Sequence, residues 1–180
     1  LHGVTGSGKT EVYLRLMEEA LSKGRTAILL IPEISLTLQT VGRIRARIAD
    51  VAVLHSRLSE GERADEWRRL REGRARVAIG PRSAIFAPLH NLGLIIIDEE
   101  HESTFKQQQS PRYHARDVAK KRAELEGALL VLGTATPSLE SEGLVEAGLM
   151  ERIPLLHRVA NRPMPPISII DMRHEKPIGP

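Results

Sequence analysis

Short apolar segments alternate with longer amphipathic segments along the chain. The apolar segments have the length of strands and almost no polar interruption, and they cover residues 26–31, 51–54, 76–79, 94–97 and 128–132. The segments between them carry apolar residues at helical spacing, and they cover residues 11–23, 36–48, 59–73, 114–124 and 138–147. Strands that are apolar on both faces are typical of a parallel sheet covered by helices on each side. The alternation therefore predicts an α/β domain with a doubly wound, mostly parallel sheet and helices on both faces.

The helix predicted over residues 59–73 has clear signals at both ends. Ser59 and Glu62 have the spacing of a capping box, and a glycine follows the last periodic position. Trp67, the only tryptophan of the chain, falls on this helix together with Leu70. We therefore expect Trp67 to pack in the core rather than to stack on a nucleic-acid base.

Composition and charge are those of an ordinary globular protein with a modest basic excess. The chain has 180 residues, of which 41% are hydrophobic and 27% charged, and its formal net charge is +3. The basic residues are mostly arginine, which modestly favours a nucleic-acid partner. The chain contains no cysteine, so this stretch holds neither a disulfide nor a cysteine-based zinc site. Because no apolar run approaches the ~18 residues of a membrane span and no signal peptide opens the chain, we expect a cytoplasmic protein without a membrane partner.

Residues 3–10 read Gly-Val-Thr-Gly-Ser-Gly-Lys-Thr, which is a complete phosphate-binding loop of the form G-x-x-x-x-G-K-[ST]. Its glycines let backbone N–H groups point at phosphate oxygens, Lys9 can reach the β- and γ-phosphates, and the Thr10 hydroxyl can bind Mg²⁺. The helix predicted to follow would place its N-terminus under the phosphates. The residues expected to hold a nucleoside triphosphate are Gly3, Thr5, Gly6, Ser7, Gly8, Lys9, Thr10 and Glu11.

Acidic residues follow directly after the strand predicted at 94–97. The carboxyl ends of parallel strands carry the ligand chemistry of α/β sheets, so we expect these residues beside the phosphate-binding loop. Asp98 would bind Mg²⁺, and Glu99 would orient and deprotonate the water that attacks the γ-phosphate. An isolated acidic turn would merely be solvated, but the loop upstream favours the catalytic interpretation. The predicted catalytic residues are Lys9, Asp98 and Glu99, and the predicted metal ligands are Thr10 and Asp98.

We expect one domain over residues 1–153. A phosphate-binding loop normally follows a buried strand, and so little of the chain precedes Gly3 that we expect this first strand to be truncated in a piece of a longer protein. The pattern weakens from Pro154, because residues 162–166 read Arg-Pro-Met-Pro-Pro, although residues 167–170 have the composition of one more strand. Residues 154–180 are therefore expected to form a linker towards a second lobe.

Strings of residues along almost the whole chain match one helicase family. They are GVTGSGKTEVY at 3–13, IPEISLT at 31–37, VLHSRLSEGER at 53–63, DEEH at 98–101, KQQ and RYHARD within 106–117, and GTATPSLES at 133–141. In this order they resemble the PriA family of bacterial primosomal replication-restart DNA helicases, which belong to superfamily 2. The resemblance implies a RecA-like P-loop NTPase lobe. It would be the first motor lobe of an ATP-dependent 3′-to-5′ helicase that acts at stalled or abandoned replication forks.

The resemblance also assigns residues to DNA binding and to coupling. These residues are Pro32, Glu33, Thr37, Arg82, Ser83, Phe105, Tyr113, Thr134 and Thr136. The first three would line the single-strand path, the arginine and the serine would contact the DNA backbone, the aromatic residues would sense DNA, and the last two threonines would couple hydrolysis to movement between lobes. Pro81 stands where the family would have threonine and Pro111 where it would have tryptophan, which weakens the expected DNA contact and coupling.

The resemblance implies ATP and Mg²⁺ as cofactors, and single-stranded or forked DNA, other primosome proteins and single-strand-binding protein as partners. It also implies a second lobe with an arginine finger, so we expect these 180 residues alone to be almost inactive as an ATPase. Two other functions stay open: a double-strand DNA translocase of the RecG type, and a primosome assembly platform with a degenerate ATP site. The strings PEISLT and RYHARD count against the first, and the intact catalytic residues count against the second.

Several polar residues allow two interpretations. His101 either links Glu100 to the threonines of the GTATP string or caps a turn, whereas His55 and His114 are expected to be structural. A run of arginines forms either a DNA-facing stripe or a solvated helix face, and it consists of Arg68, Arg69, Arg71, Arg74 and Arg76.

Overall fold

The computed structural model describes residues 1–161 and Ile170, and its elements alternate between strand and helix. The strands are β1 (His2–Gly3), β2 (Thr26–Leu30), β3 (Val51–Val53), β4 (Val77–Gly80), β5 (Leu92–Asp98), β6 (Lys106–Gln107), β7 (Tyr113–His114), β8 (Leu129–Gly133) and β9 (Pro154–Leu155). The α-helices are α1 (Lys9–Ser22), α2 (Leu38–Arg45), α3 (Glu60–Arg71), α4 (Ala115–Glu126) and α5 (Leu139–Glu146). Short 3₁₀ turns lie at Glu33–Ser35, Arg82–Phe86, Ser103–Phe105 and Val159–Asn161. None of the helices in this described part has the length and apolar character needed to cross a membrane.

The central sheet is parallel, and its strand order is β3-β4-β2-β5-β8. Leu30 at the end of β2 lies opposite Gly80 of β4 and Ile97 of β5, and Asp98 lies opposite Gly133 of β8. Since these strands all run in the same direction, their carboxyl ends meet at one edge of the sheet. The predicted α/β class and the doubly wound parallel sheet are confirmed.

Alternate residues of the central strands enter two separate cores. In β2, Ala27 and Leu29 pack with residues of α1 and α2, whereas Ile28 and Leu30 pack with residues of α3 and α4. The apolar residues of β5 are divided between the two cores in the same way. The strands are apolar at nearly every position because each face of the sheet carries a core.

The short strand β1 places the phosphate-binding loop at the edge shared by the strand ends. A parallel bridge joins His2 to Thr134 just after β8, and the N–H of Gly3 donates to the carbonyl of Thr134 at 3.0 Å. On its other side β1 pairs in parallel with β9, with His2 opposite Pro154. The sequence pattern does not reveal β9, because a strand of two residues is too short to show a period. The domain boundary at residue 153 stays a prediction.

The observed helices differ from their predicted extents mainly at the ends. Helix α2 begins later than the predicted 36–48, because the Thr37 side chain caps its first turn, and it ends earlier, at Arg45. Helix α3 begins as predicted, with the side chains of Ser59 and Glu62 forming both bonds of a capping box. The strand expected at 167–170 lies outside the described residues except for Ile170, which is not part of a strand.

We predict that Leu30→Ala lowers the free energy of unfolding by about 2–5 kcal/mol, because it opens a cavity at a fully buried position. The matched control is Leu38→Ala at the start of α2, where the side chain is 93% exposed; this change should be smaller than about 0.5 kcal/mol. Urea denaturation followed by circular dichroism measures both. Equal effects of the two substitutions would contradict the assignment of β2 to the centre of the core.

Candidate functional site

The loop between β1 and α1 has the backbone of an anion cradle. Gly6 and Gly8 have φ angles of 81° and 94°, in the left-handed region that favours glycine. Gly8 immediately precedes the first turn of α1, and no side chain of the described part caps this helix end. The N–H groups at the start of α1 can therefore bind an anion, and the helix dipole favours negative charge there.

Lys9 and Ser7 of this loop have buried polar atoms with few partners. Lys9 is 8% exposed, and its Nζ donates to the carbonyl of Gly3 at 3.0 Å and lies 3.7 Å from Oε1 of Glu99. The Ser7 hydroxyl is buried and makes no hydrogen bond with any described residue. Buried polar groups are nearly always hydrogen-bonded, so the Ser7 hydroxyl is an exception, and the Lys9 ammonium group would exchange its bond to the Gly3 carbonyl for one to a phosphate oxygen.

Asp98 ends β5, and its carboxylate lies against Tyr13 of α1. The Tyr13 hydroxyl donates to Oδ1 of Asp98 at 2.8 Å, and a side chain at Gly133 would overlap that hydroxyl. Burial raises the pKa of Asp98, and the hydrogen bond from Tyr13 opposes the change. A bound cation would favour the ionised carboxylate further, as expected of a metal ligand. Thr10 lies in the first turn of α1, and its hydroxyl makes no hydrogen bond within the part of the chain that the structure describes.

Glu99 has an unusual backbone conformation. Its φ angle is 49°, in the left-handed region that residues other than glycine seldom adopt. Its carboxylate faces two nitrogen atoms, with Oε1 at 3.7 Å from Nζ of Lys9 and Oε2 at 3.8 Å from Nδ1 of His101. Strained backbone of this kind is concentrated at active sites, and here it turns the Glu99 side chain towards the phosphate-binding loop.

His101 connects the acidic turn to the segment after β8. Its Nδ1 lies 2.8 Å from Oγ1 of Thr134, and the same oxygen accepts the N–H of Thr136 at 3.0 Å. Thr134 is 4% exposed, and its carbonyl bonds β1. Of the two interpretations of His101, the structure supports the contact with a threonine of the GTATP string, but the carboxylate that faces the ring belongs to Glu99 and not to Glu100. The predicted coupling residues Thr134 and Thr136 therefore lie beside the candidate nucleotide site.

A fully buried carboxylate at the site belongs to Glu100, whose side chain is 0% exposed. It accepts hydrogen bonds from the N–H of Ser138 at 2.8 Å and from the hydroxyls of Ser138 and Ser141 at 3.0 Å. Nη1 of Arg116, in the first turn of α4, lies 3.3 Å from Oε2 of Glu100. Because Ser138 also caps α5, this carboxylate joins the acidic turn to the starts of two helices.

Sequence reasoning missed the roles of Tyr13, Arg116, Ser138 and Ser141. Each is far along the chain from the carboxylate it contacts, so no local spacing reveals the pair. The only signal in the sequence is that all of them lie inside the strings that match the helicase family. Those strings therefore include the residues that support the site as well as the residues predicted to be catalytic.

A cavity of about 510 Å³ opens at the carboxyl ends of β2, β3 and β4. Its lining includes most of the residues assigned to DNA, which are Pro32, Glu33, Arg82, Ser83, Phe105 and Tyr113. Pro81 and Pro111, the two departures from the family pattern, line the same cavity. Thr37 lines a neighbouring groove instead and caps α2. The structure thus brings together most, but not all, of the predicted DNA contacts.

The residues predicted to contact DNA in this cavity differ in how accessible their side chains are to a DNA strand. Nη1 of Arg82 donates to two backbone carbonyls of the loop at 104–106, at 2.8 and 3.4 Å, so this side chain holds the loop. Phe105 is 1% exposed and belongs to the core, whereas Tyr113 is partly exposed. The ring of Tyr113 packs edge-on against Phe86 with centroids 5.2 Å apart. The DNA-binding roles of these residues stay predictions.

Four of the five arginines in the run at 68–76 are held in ion pairs. Arginines of the run on and after α3 pair with carboxylates, and the pairs are Arg68–Asp65, Arg69–Glu66, Arg74–Glu72 and Arg76–Asp50. This arrangement favours a solvated helix face over a DNA-facing stripe. Glu11, expected to hold nucleotide, pairs with Arg15 at 2.9 Å and with Arg47 at 2.8 Å, and hydrogen bonds from these two arginines lower the pKa of Glu11.

The family model of the DEAD/DEAH box helicases matches residues 1–143, which include the phosphate-binding loop, the acidic turn and the threonines after β8. The chain belongs to the DEAD/DEAH box helicases. Solved structures agree in fold: the helicase domain of Pyrococcus furiosus Hef gives a TM-score of 0.61 at 23% identity, over 87% of this chain and 34% of that one. RecG bound to a three-way DNA junction gives 0.60 at 26% identity, over 92% of this chain and 21% of that one. These neighbours confirm the predicted RecA-like helicase lobe.

Curated relatives of this DEAD/DEAH box helicase confirm the resemblance to PriA. The chain is 57% identical over 176 residues to replication restart protein PriA of Bacillus subtilis strain 168, and 55% identical over 181 residues to that of Synechocystis. PriA of Chlamydia pneumoniae is 52% identical over 178 residues. These matches cover 97%, 97% and 98% of the chain but 22%, 22% and 24% of the relatives. The chain thus spans less than a quarter of the length of these relatives.

Membership of the DEAD/DEAH box helicases implies the use of a nucleotide with Mg²⁺, and the described residues fit both groups. The free N–H groups before α1 and the ammonium group of Lys9 suit phosphate. The Thr10 hydroxyl and the Asp98 carboxylate are oxygen ligands, the kind that Mg²⁺ prefers.

We predict that Glu100→Gln lowers the free energy of unfolding by about 3–5 kcal/mol, because it leaves Arg116, whose side chain is 13% exposed, without its buried counter-charge. The matched control is Glu140→Gln, since Glu140 lies 3.9 Å from the same arginine but is 69% exposed. The control should leave the unfolding midpoint nearly unchanged, because water screens that pair. Urea unfolding at neutral pH compares the two variants. Similar midpoints for both would mean that the buried pair adds little to stability.

Proposed function

We propose that this chain is the ATP-binding lobe of an ATP-dependent 3′-to-5′ DNA helicase that acts at stalled or abandoned replication forks to restart replication. The observation that carries the proposal is the position of Lys9, whose Nζ lies 3.7 Å from Oε1 of Glu99 at the end of the phosphate-binding loop. Similarity to replication restart protein PriA over 97% of the chain supports the DNA substrate and the role in restart. The direction of movement rests on the resemblance alone.

The phosphate-binding loop would hold ATP through its backbone N–H groups and Lys9. Lys9 would exchange its hydrogen bond to the Gly3 carbonyl for one to a phosphate oxygen. Thr10 and Asp98 would hold Mg²⁺, and Tyr13 would keep the Asp98 carboxylate in place. When bound, Mg²⁺ would neutralise negative charge on the phosphate oxygens.

Glu99 would accept the proton of the water that attacks the γ-phosphate. In the structure its carboxylate faces Lys9 and His101. Once Lys9 turns to a phosphate, the Glu99 carboxylate is free to act as a general base. Thr134 and Thr136, held beside His101, would then couple hydrolysis to movement of a second lobe.

Single-stranded or forked DNA would lie across the cavity at the ends of β2, β3 and β4. Other primosome proteins and single-strand-binding protein would be partners in the bacterial cytoplasm, at the nucleoid. A second lobe would supply an arginine to the γ-phosphate, a contribution of about 10³–10⁵ in rate in other nucleotide hydrolases. These 180 residues alone would therefore turn over ATP very slowly.

We predict that Glu99→Gln in the full-length protein lowers the DNA-stimulated kcat for ATP by about 10²–10⁴-fold while ATP still binds, because only the general base is lost. Lys9→Ala should weaken ATP binding itself. The matched control is Glu124→Gln, an exposed carboxylate on α4, which should change neither property. Steady-state hydrolysis with single-stranded DNA and titration with a fluorescent ATP analogue separate these outcomes. Undiminished hydrolysis by Glu99→Gln would overturn the assignment, and no hydrolysis by the unsubstituted protein would favour the assembly platform.

A double-strand DNA translocase of the RecG type is the second candidate. It is favoured by the likeness to RecG in fold, at a TM-score of 0.60 over 92% of the chain. The 57% identity to PriA favours the helicase.

We predict that the full-length protein releases a strand from a forked duplex but not from a blunt duplex, and that single-stranded DNA stimulates its hydrolysis of ATP. A helicase must engage a single strand, whereas a double-strand DNA translocase hydrolyses ATP on duplex DNA. Strand displacement with a labelled oligonucleotide, run beside the hydrolysis assay on the same substrates, tests this. Stronger stimulation by blunt duplex than by single strands, without strand release, would support the translocase.

A further inference from the structure

We propose that the cavity at the carboxyl ends of β2, β3 and β4 binds one nucleobase turned out of the DNA strand, with Trp67 as a stacking surface. The inference rests on the proposed DNA-binding function and goes beyond it, since a strand path needs only contacts with the DNA backbone. The cavity volume of about 510 Å³ is in the range of small-molecule sites. Its lining shares no residue with the phosphate-binding loop, so it is separate from the candidate nucleotide site.

Aromatic rings from separate elements line this cavity. They are Trp67 of α3 and Tyr113 of β7, which are partly exposed, and Phe105 of the turn between β5 and β6, which is 1% exposed and supports the wall from the core. Trp67 packs against the core, as predicted, but is only partly buried. Part of its indole ring therefore remains open to the cavity. Flat rings of this kind stack on any base, because every base presents a π-face.

His55 has a ring nitrogen that lacks a hydrogen-bond partner among the described residues. Its Nδ1 is buried and makes no hydrogen bond within residues 1–161. His55 follows β3 and lines the cavity next to Leu54. A neutral imidazole nitrogen is either a donor or an acceptor, and the edge of a base offers both kinds of partner. Because Nδ1 is buried, a base in the cavity would bond this atom once the imidazole ring turned towards the cavity.

The charged groups that line the cavity favour an attached phosphate. They are Arg63, Arg82 and Glu33, so positive charge is in excess. Arg63 makes no ion pair with any described residue, and its guanidinium group can bond a phosphate. Oε1 of Glu33 is already occupied by the N–H of Ser56 at 3.0 Å. Flat rings, an unbonded ring nitrogen and excess positive charge together match one nucleotide unit of a single strand.

The fluorescence of Trp67 tests the proposal directly, because it is the only tryptophan of the chain. The 180-residue chain is titrated to saturation with a short oligothymidylate and, separately, with an oligonucleotide of the same length whose residues are all abasic. The anisotropy of a label on each oligonucleotide measures binding independently of Trp67. We expect the oligothymidylate to quench the Trp67 emission, and the abasic strand to bind more weakly and leave the emission unchanged.

The other outcomes separate this inference from the proposed function. If both oligonucleotides bind and both change the emission equally, or neither changes it, the base cavity is overturned and DNA binding stands. If neither oligonucleotide binds, the proposed DNA contact fails and the base cavity fails with it.

Two substitutions of the same residue add a check on affinity. Trp67→Leu removes the ring and keeps apolar volume, whereas Trp67→Phe keeps a ring. We expect Trp67→Leu to weaken oligothymidylate binding about tenfold and Trp67→Phe less than about threefold, as the loss of one base–aromatic stack predicts. Both variants should bind the abasic strand like the unsubstituted chain, which a misfolded protein would not do. Unchanged oligothymidylate affinity in Trp67→Leu would overturn the proposal.

Discussion

The parallel bridge from β1 to Thr134, just after β8, is the constraint on which the candidate nucleotide site depends. The bridge between His2 and Thr134 fixes the point at which the phosphate-binding loop leaves the sheet. The carbonyl of Gly3, on the same short strand, then holds Nζ of Lys9 at 3.0 Å. Because β8 also pairs with β5, the loop and the acidic turn are held at one edge. The Glu99 carboxylate faces the same ammonium group at 3.7 Å, so Lys9 is held between the loop and the acidic turn.

Three successive carboxylates at the end of β5 serve three different neighbours. Asp98 accepts the Tyr13 hydroxyl of α1, Glu99 faces the phosphate-binding loop, and Glu100 is buried against the starts of α4 and α5. Side chains of a regular strand would alternate between two faces only. The left-handed φ of 49° at Glu99 breaks that alternation, so each carboxylate points in its own direction. Backbone strain at this residue is thus the means by which one strand end presents the proposed metal ligand Asp98, the proposed base Glu99 and the buried anchor Glu100 in different directions.

Most of the fold, but only part of the candidate site, could be predicted from the sequence. Ile28 and Leu30 of β2 could be assigned to a two-sided core, because a parallel sheet covered on both faces requires apolar residues at every position. Lys9 and Asp98 could be assigned to the candidate site because each occupies a fixed position in a recognisable sequence motif. The contact between Arg116 and Glu100 could not be predicted, because it depends on how α4 packs against the sheet. Helical periodicity correctly placed Trp67 against the core, but it could not show that a cavity opens beside the residue.

The cavity and the acidic turn are joined by a short and tightly bonded stretch of backbone. The N–H of Glu102 donates to the carbonyl of Glu99 at 2.9 Å, and the N–H of Phe105 donates to the carbonyl of Glu102 at 3.2 Å. Arg82 holds the next part of the loop by its carbonyls, so this stretch is fixed at both ends. A base that entered the cavity would lie beside the segment that carries Phe105, and a displacement of that segment would be transmitted through two consecutive turns to Glu99. Glu99 already has a strained backbone, so a small displacement there would change the distance between its carboxylate and Lys9. That connection gives the proposed DNA sensor a physical route to the proposed general base.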